Sequence, residues 1–468
     1  NGRTTGTGVD GEGGGIRFVS DGALTLTSST VTGNSTTGFE GDGGGIYVSI
    51  GSLSLTDSTV SGNSTSGDEG DGGGIFTNTD VELSLTGSTV SGNYTTGGSA
   101  DGGGIFSFYG SVTLTNSTVS GNSTQAATSG GAGIYTRGDV SLSSSTVTGN
   151  TSALAAGGGV YVFNTLTNPK LTIQSSIVAG NTGGAAPDLR PDLDGELNID
   201  FSLIGDTTGS GVTGGTGMDN QLDVDPMLGD LANNGGPTEA HVLLNGSPAI
   251  NAGDPSIITG FDQRGAPFAR VAGGRADIGA FEQQSLSLVV DTVSDVSDGD
   301  FSAGEFSLRE AIGLANANPG ADAITFDPSV FTGGDDSLIR LTEGELTLYD
   351  DVAIDGSTGP EIVIPGDAAG KDALDGSSLI TDAVNNVLHS DNTRVFHITG
   401  GTADLSHLTI TGGAVTGTNT AGSDGGGVLV AAGATLNFTS GSISGNASLE
   451  DDGGGLKNSG TATLTDAV

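Results

Sequence analysis

The chain repeats itself. Six segments, GEGGGIRF, GDGGGIYV, GDGGGIFT, ADGGGIFS, SGGAGIYT and AAGGGVYV, place Ile16, Ile46, Ile75, Ile105, Ile134 and Val160 at intervals of 30, 29, 30, 29 and 26 residues. Two more, SDGGGVLV and DDGGGLKN, stand near the end. A period of this length marks a solenoid built from one recurring supersecondary unit. Runs such as SLSLTDSTVSGN alternate apolar and hydroxyl residues and are bounded by Gly, Asn and Ser, which is strand chemistry rather than helix chemistry. One unit cannot bury its own apolar face, so neighbours must stack. Three strands per unit, stacked parallel at about 4.8 Å, predict a right-handed parallel β-helix with cap regions and one short amphipathic helix.

Stacking turns sequence positions into columns. The asparagines after V-x-G, namely Asn34, Asn63, Asn93, Asn122, Asn150 and Asn181, with Asn446 in the later units, are predicted to turn inward and bond coil to coil as a side-chain ladder. Six of these seven also read N-x-[ST], but an acceptor buried in a ladder is out of reach of a glycan. Before the triple glycines stand Glu12, Asp42, Asp71, Asp101, Ser129 and Ala156, and later Asp424 and Asp452. Carboxylates at strand spacing repel by roughly 1 to 4 kcal/mol per pair. Two readings follow: Ca²⁺ held by Asp42, Asp71, Asp101, Asp424 and Asp452 relieves the repulsion, or each Asp caps its own turn in water.

The residue after the Ile makes a further column, with Tyr47, Phe76, Phe106, Tyr135 and Tyr161 in succession. Alternation sends these side chains outward if Ile points in. Again two readings stand: an exposed stripe for stacking sugars or a second copy of the chain, or a stripe covered by a loop of the same chain.

Thirteen Lys plus Arg against 55 Asp plus Glu give a formal charge of −42. Nucleic-acid binding, which depends on cations displacing counterions from phosphates, is thereby excluded as an expectation. No cysteine is present, and no apolar run approaches the roughly 20 residues that cross a bilayer. The chain starts at Asn1 with no basic-then-apolar leader, as expected for a mature or excised piece.

After Asn181 the repeat gives way to DVDPMLGDLANNGGPTEAHVLLNGSPAINAGDP and FDQRGAPFARVAGGRADIGAFE. Residues 223–282 closely resemble the choice-of-anchor Q domain of bacterial surface proteins, which implies an end cap and no activity. Next, FSLREAIGLANA resembles the CSLREA motif found at the start of bacterial β-helix surface proteins, with Phe306 in place of its Cys. Leu308, Ala311, Ile312, Leu314 and Ala315 lie on one side of a helix over 307–317, suited to plugging an open core. The expected division is coils over 1–183, a closing cap over 184–283, an opening cap and first coils over 284–404, and coils over 405–468.

The two termini also fit each other. If Asn1 followed Val468, the interval from Gly455 to Gly15 would be 28, the same as from Gly427 to Gly455. The expectation is a head-to-tail or tandem assembly through coil stacking, a heterologous contact that builds fibres. Uniform coils argue against an enzyme, because catalysis needs a local exception to the repeat, and His241, His389, His397 and His407 fall singly. The expected function is a structural extracellular filament or cell-surface fibre, with a glycan-binding adhesin as the alternative.

Overall fold

Each coil of the repeat closes on four short strands rather than three. The coil after Gly45 runs through Ile46–Val48, Ser52–Thr56, Thr59–Ser61 and Ser64–Thr65. The fourth strand is only two residues long, too short to be read from alternation. The computed structural model describes residues 3–5, 11–125, 130–153, 157–164, 168–192, 196–214, 216–366, 393–416, 424–449 and 453–468. Two compact units divide between Gln283 and Gln284. Residues 184–283, expected as a separate cap, share a unit with the preceding coils.

In the first unit, residues 1–283, equivalent strands pair in parallel without slippage and form four faces of six, seven, seven and eight strands. Alternation divides the side chains. Ile46, Val48, Leu53, Leu55 and Val60 point inward and are fully or almost fully buried, and their equivalents fill one continuous core from Leu26 to Val212. On the second face the outward residues make two ranks, Thr25, Ser54, Ser84, Thr113, Ser141, Thr172 and Thr27, Thr56, Thr86, Thr115, Ser143, Gln174. The turn into the third face needs a left-handed residue in every coil, supplied by Ser28, Asp57, Gly87, Asn116, Ser144 and Ser175 with φ between 45° and 58°.

The triple glycine has a steric reason. A Cβ on Gly44 would lie 2.3 Å from the Ser64 carbonyl oxygen and 2.4 Å from that of Gly73, so neither the facing strand nor the next coil leaves room for one.

Residues 223–282 do not close an end. They lie along the third face, over coils three to six. Gln263 accepts from Thr118 Oγ1 at 2.6 Å and donates to Thr89 Oγ1 at 2.9 Å, Thr238 Oγ1 donates to the Gly87 carbonyl, and the Ala280 amide donates to Thr146 Oγ1. A second core forms beneath them from Ile177, Ala179, Leu203, Leu243, Ile278 and Phe281. Its sequence signal is SIVAGN where earlier coils read STVSGN: outward Thr and Ser become Ile177 and Ala179 at the place that is covered. The coil end is closed instead by the stretch containing Val212 and Leu222, which joins the main core.

The second unit, residues 284–468, begins with Ser287–Val290 and the helix Leu308–Ala317. Ser307 caps the helix in a capping box with Glu310. The helix buries Leu308, Ala311, Ile312, Leu314 and Ala315 against the strands Ser287–Val290, Asp322–Phe326 and Leu346–Leu348. Parallel coils follow through Thr461–Thr465. The fold is a right-handed parallel β-helix.

Candidate functional site

The asparagine column lies at the turn between the third and fourth faces, fully buried from Asn63 to Asn150. Each side chain uses its whole hydrogen-bonding capacity. Asn63 Nδ2 donates to Asn93 Oδ1 at 3.0 Å and to the Val31 carbonyl at 2.9 Å, while its Oδ1 accepts from the backbone and side-chain N–H groups of Asn34. The same bonds recur through Asn93, Asn122 and Asn150 to Asn181. There the ladder ends on Asp188, whose Oδ1 accepts from both the backbone and the side chain of Asn181 at 2.9 Å. A carboxylate suits only this last position, because it accepts but has nothing to donate onward. Asn446, in the second unit, accepts from the Gly413 amide and donates to the Ile410 carbonyl, with no asparagine beside it among the described residues.

A second ladder escapes the sequence reading. Ser29, Ser58, Ser88, Ser117, Ser145 and Ser176 bond in series, each backbone amide donating to the hydroxyl of the next coil, and the last pair reaches Ser202 and then Asn220. Its signal is the fixed S-[TI]-V offset two residues before each inward valine or its equivalent.

The aspartate and aromatic columns come together on one groove. Alternation does send Tyr47, Phe76, Phe106, Tyr135 and Tyr161 out of the core, yet they are only 2–7 % exposed. The exposed stripe is therefore corrected to a covered one. Each preceding turn packs against the base of the side chain: a Cβ on Gly43 would lie 2.9 Å from Tyr47 Cβ, and one on Gly72 2.9 Å from Phe76 Cβ. The rings also cover one another. Tyr47, Phe76, Phe106 and Tyr135 stack at centroid distances of 5.0–5.2 Å and within 6° of parallel, and Tyr161 closes the series edge-on. Arg17 lies 5.9 Å above Tyr47 and Arg190 4.7 Å from Tyr161, so a guanidinium ends the column on each side.

The groove beside this stack, about 480 Å³, is floored by Asp42, Asp71 and Asp101 and rimmed by Glu12, Glu40, Glu69 and Arg137. The aspartates cap the next coil rather than their own turn. Asp42 Oδ1 accepts from the Asp71 amide at 2.9 Å, Asp71 Oδ1 from the Asp101 amide at 2.7 Å, and Asp101 Oδ1 from the Gly130 amide at 2.7 Å. Burial pushes the Asp42 carboxyl up to about 8, reinforced by Glu12 and Glu40 and opposed by the Asp71 amide. Asp101 rises to about 6, again through burial, with the Gly130 amide and Arg137 pulling it down. Asp71 rises well above the carboxylate range through burial and its two flanking aspartates.

Asp424 stands apart in the second unit, 3.5 Å from Lys457 Nζ, and Asp452 lies outside the described residues, as do Ser129, Ala156 and His389. Among the described residues no group of three or more His, Cys, Asp or Glu is placed to hold a metal ion. His241 is half-buried against Ser120 and the Gly229 carbonyl, His397 pairs with Glu345, and His407 with Asp355.

Residues 14–188 match the family model described as a right-handed β-helix region. No curated protein and no solved structure matches the chain. Among the described residues no helix is long and apolar enough to cross a membrane.

Proposed function

We propose that the chain is a structural rod, a section of an extracellular filament or cell-surface fibre extended by further coils of the same kind. One observation carries this reading: the side-chain columns that could do chemistry are spent on joining coil to coil. The asparagines, the serines and the aspartates bond to the next coil, and the aromatic rings stack on their own equivalents. Polar groups satisfied in this way stiffen a structure. Placement outside the cell rests on the resemblance of residues 223–282 and 306–317 to surface-protein segments. Sugar stacking on Tyr47 and Phe76 has no open ring faces to use, which leaves the adhesin reading without its platform.

Electron microscopy of the purified protein across a concentration series tests the reading. Straight rods that lengthen with concentration, or rods of constant width in the intact parent polypeptide, are expected. Compact separate particles under all conditions, together with a glycan retained on an array by the wild type and lost on Tyr47→Ala, would overturn it in favour of an adhesin.

A further inference from the structure

The segment laid over the third face turns sharply at Leu244–Ser247, and the turn holds two groups able to react with each other. The Ser247 amide donates to the Leu244 carbonyl at 3.0 Å, and Gly246 takes φ 87°, the left-handed value that the third position of a type II turn requires. Asn245 stands just before it, and both residues are exposed. On either side the chain is pinned: the Leu244 amide donates to the Met227 carbonyl at 2.9 Å, and Ser247 Oγ to the Pro226 carbonyl at 2.5 Å. Between these pins the Gly246 amide donates to no described residue. Among the described residues the Asn245 side chain has one hydrogen bond, Oδ1 accepting from Gln283 Nε2 at 3.4 Å, and its Nδ2 has none.

The other asparagines with a small residue after them are held differently. Asn–Gly occurs in the sequence also at Asn1–Gly2, which lies outside the described residues, and at Asn234–Gly235. Asn234 is buried, its Nδ2 donates to the Ala240 carbonyl at 2.8 Å and the Ala232 carbonyl at 3.2 Å, and the Gly235 amide donates to Asn233 Oδ1 at 3.0 Å. In the ladder, Asn63, Asn93, Asn122 and Asn150 are buried, and the amides of Ser64, Tyr94, Ser123 and Thr151 that follow them donate to the neighbouring coil. Of the two described Asn–Gly pairs, Asn245–Gly246 is thus the one with its backbone nitrogen and its leaving group both unbonded. A Cβ placed on Gly246 would meet nothing within 4 Å, so solvent reaches the turn from that side.

We infer that Asn245–Gly246 is a self-modifying site, at which the backbone nitrogen of Gly246 attacks Asn245 Cγ and the side chain deamidates. The nitrogen gives its proton to solvent hydroxide and forms the N–Cγ bond; the Cγ–Nδ2 bond breaks, and Nδ2 takes a proton from water and leaves as ammonia. The product is a succinimide ring. Water then opens the ring at either carbonyl, leaving aspartate or isoaspartate, so that no oxidant, reductant or cofactor is required. A side chain on residue 246 would crowd the attacking nitrogen, and glycine has none. Either product adds one negative charge to the turn, and isoaspartate also lengthens the main chain by one carbon between the contacts to Met227 and Pro226. The inference rests on this turn alone and not on the fibre.

The experiment is peptide mass mapping of the full chain, held at neutral pH with and without urea and sampled over time, with isoaspartate scored by an isoaspartyl methyltransferase assay. In the folded chain Asn245 is expected to convert within about tenfold of its rate in urea, and Asn234 at least about a hundredfold more slowly than in urea, because its groups are freed only on local opening. In urea the two pairs are expected to react alike. Gly246→Ala should slow conversion of Asn245 by at least about tenfold, and Asn245→Gln should remove the mass gain from this peptide, with circular dichroism unchanged in both. An Asn245 that converts in urea but keeps its amide in the folded chain refutes the assignment, as does a folded chain in which Asn234 converts as fast. Conversion to aspartate with no isoaspartate would also overturn it, since that is direct hydrolysis of the side chain and does not pass through the ring.

Discussion

Removing one rung of the asparagine ladder should cost far more than removing an asparagine elsewhere. Asn93 is fully buried and its side chain takes part in four hydrogen bonds: to Asn122 Oδ1, to the Val60 carbonyl, and from the backbone and side-chain N–H groups of Asn63. At a net value of about 1 kcal/mol each, Asn93→Ala loses about 4 kcal/mol, with a spread set by how far water reaches the orphaned groups. The control is Asn437→Ala, whose amide faces outward and makes one bond, to Asp404 at 2.7 Å, for an expected loss of about 1 kcal/mol or less. Native-state hydrogen exchange is the assay, because a solenoid opens locally and a single melting temperature blurs neighbouring coils. The Asn63 amide, which donates to Asn93 Oδ1, should lose protection by about three orders of magnitude. A loss no greater than at Asn437, or protection unchanged at Asn63, would show that the column is spacing rather than bonding and would refute the ladder argument. Asn93→Asp adds a check on the sign: it cannot donate to Asn122 Oδ1, so it should destabilise at neutral pH and recover in part when protonated.

Truncating the ring stack with Phe106→Ala should cost about 3–5 kcal/mol, measured by denaturant unfolding, while Phe106→Leu should cost clearly less. The pH dependence has a definite direction. Asp42 keeps its proton up to about 8 when folded and releases it near 3.8 when unfolded, so the folded chain binds more protons between those values. Its contribution to stability therefore falls as pH rises through that window and is level above it. Asp42→Asn should flatten the melting temperature against pH and melt higher than wild type at pH 8; an unchanged slope would count against a protonated ladder. Chelation with EDTA should leave the melting temperature in place, and a clear drop would put a cation in the groove. Gln263→Ala removes bonds to Thr118, Thr89 and Thr238 and should expose residues 223–282 to limited proteolysis while the coils before Gly87 stay intact.

The period of the repeat and the alternation within it were enough to determine a stacked parallel coil, the inward Ile, Leu and Val, and the column on which Asn63 and its equivalents lie. Those features are local: a strand's two-residue period decides which side of the coil a residue occupies, and identical residues in successive coils must lie over one another. What covers an outward residue is not local. Tyr47 and Phe76 left the core as alternation required, but the glycine turn packs against the base of each side chain and the rings stack on one another, which only the three-dimensional path shows. The same limit hid Asp188, which ends the ladder seven residues after Asn181 because the chain shortcuts its coil there. It also hid the docking of residues 223–282 on Thr89, Thr118 and Thr146, a contact between segments as much as 174 residues apart. Sequence period fixes what recurs; the places where the coil stack is sealed, covered or ended depend on contacts that occur once and leave no repeat to read.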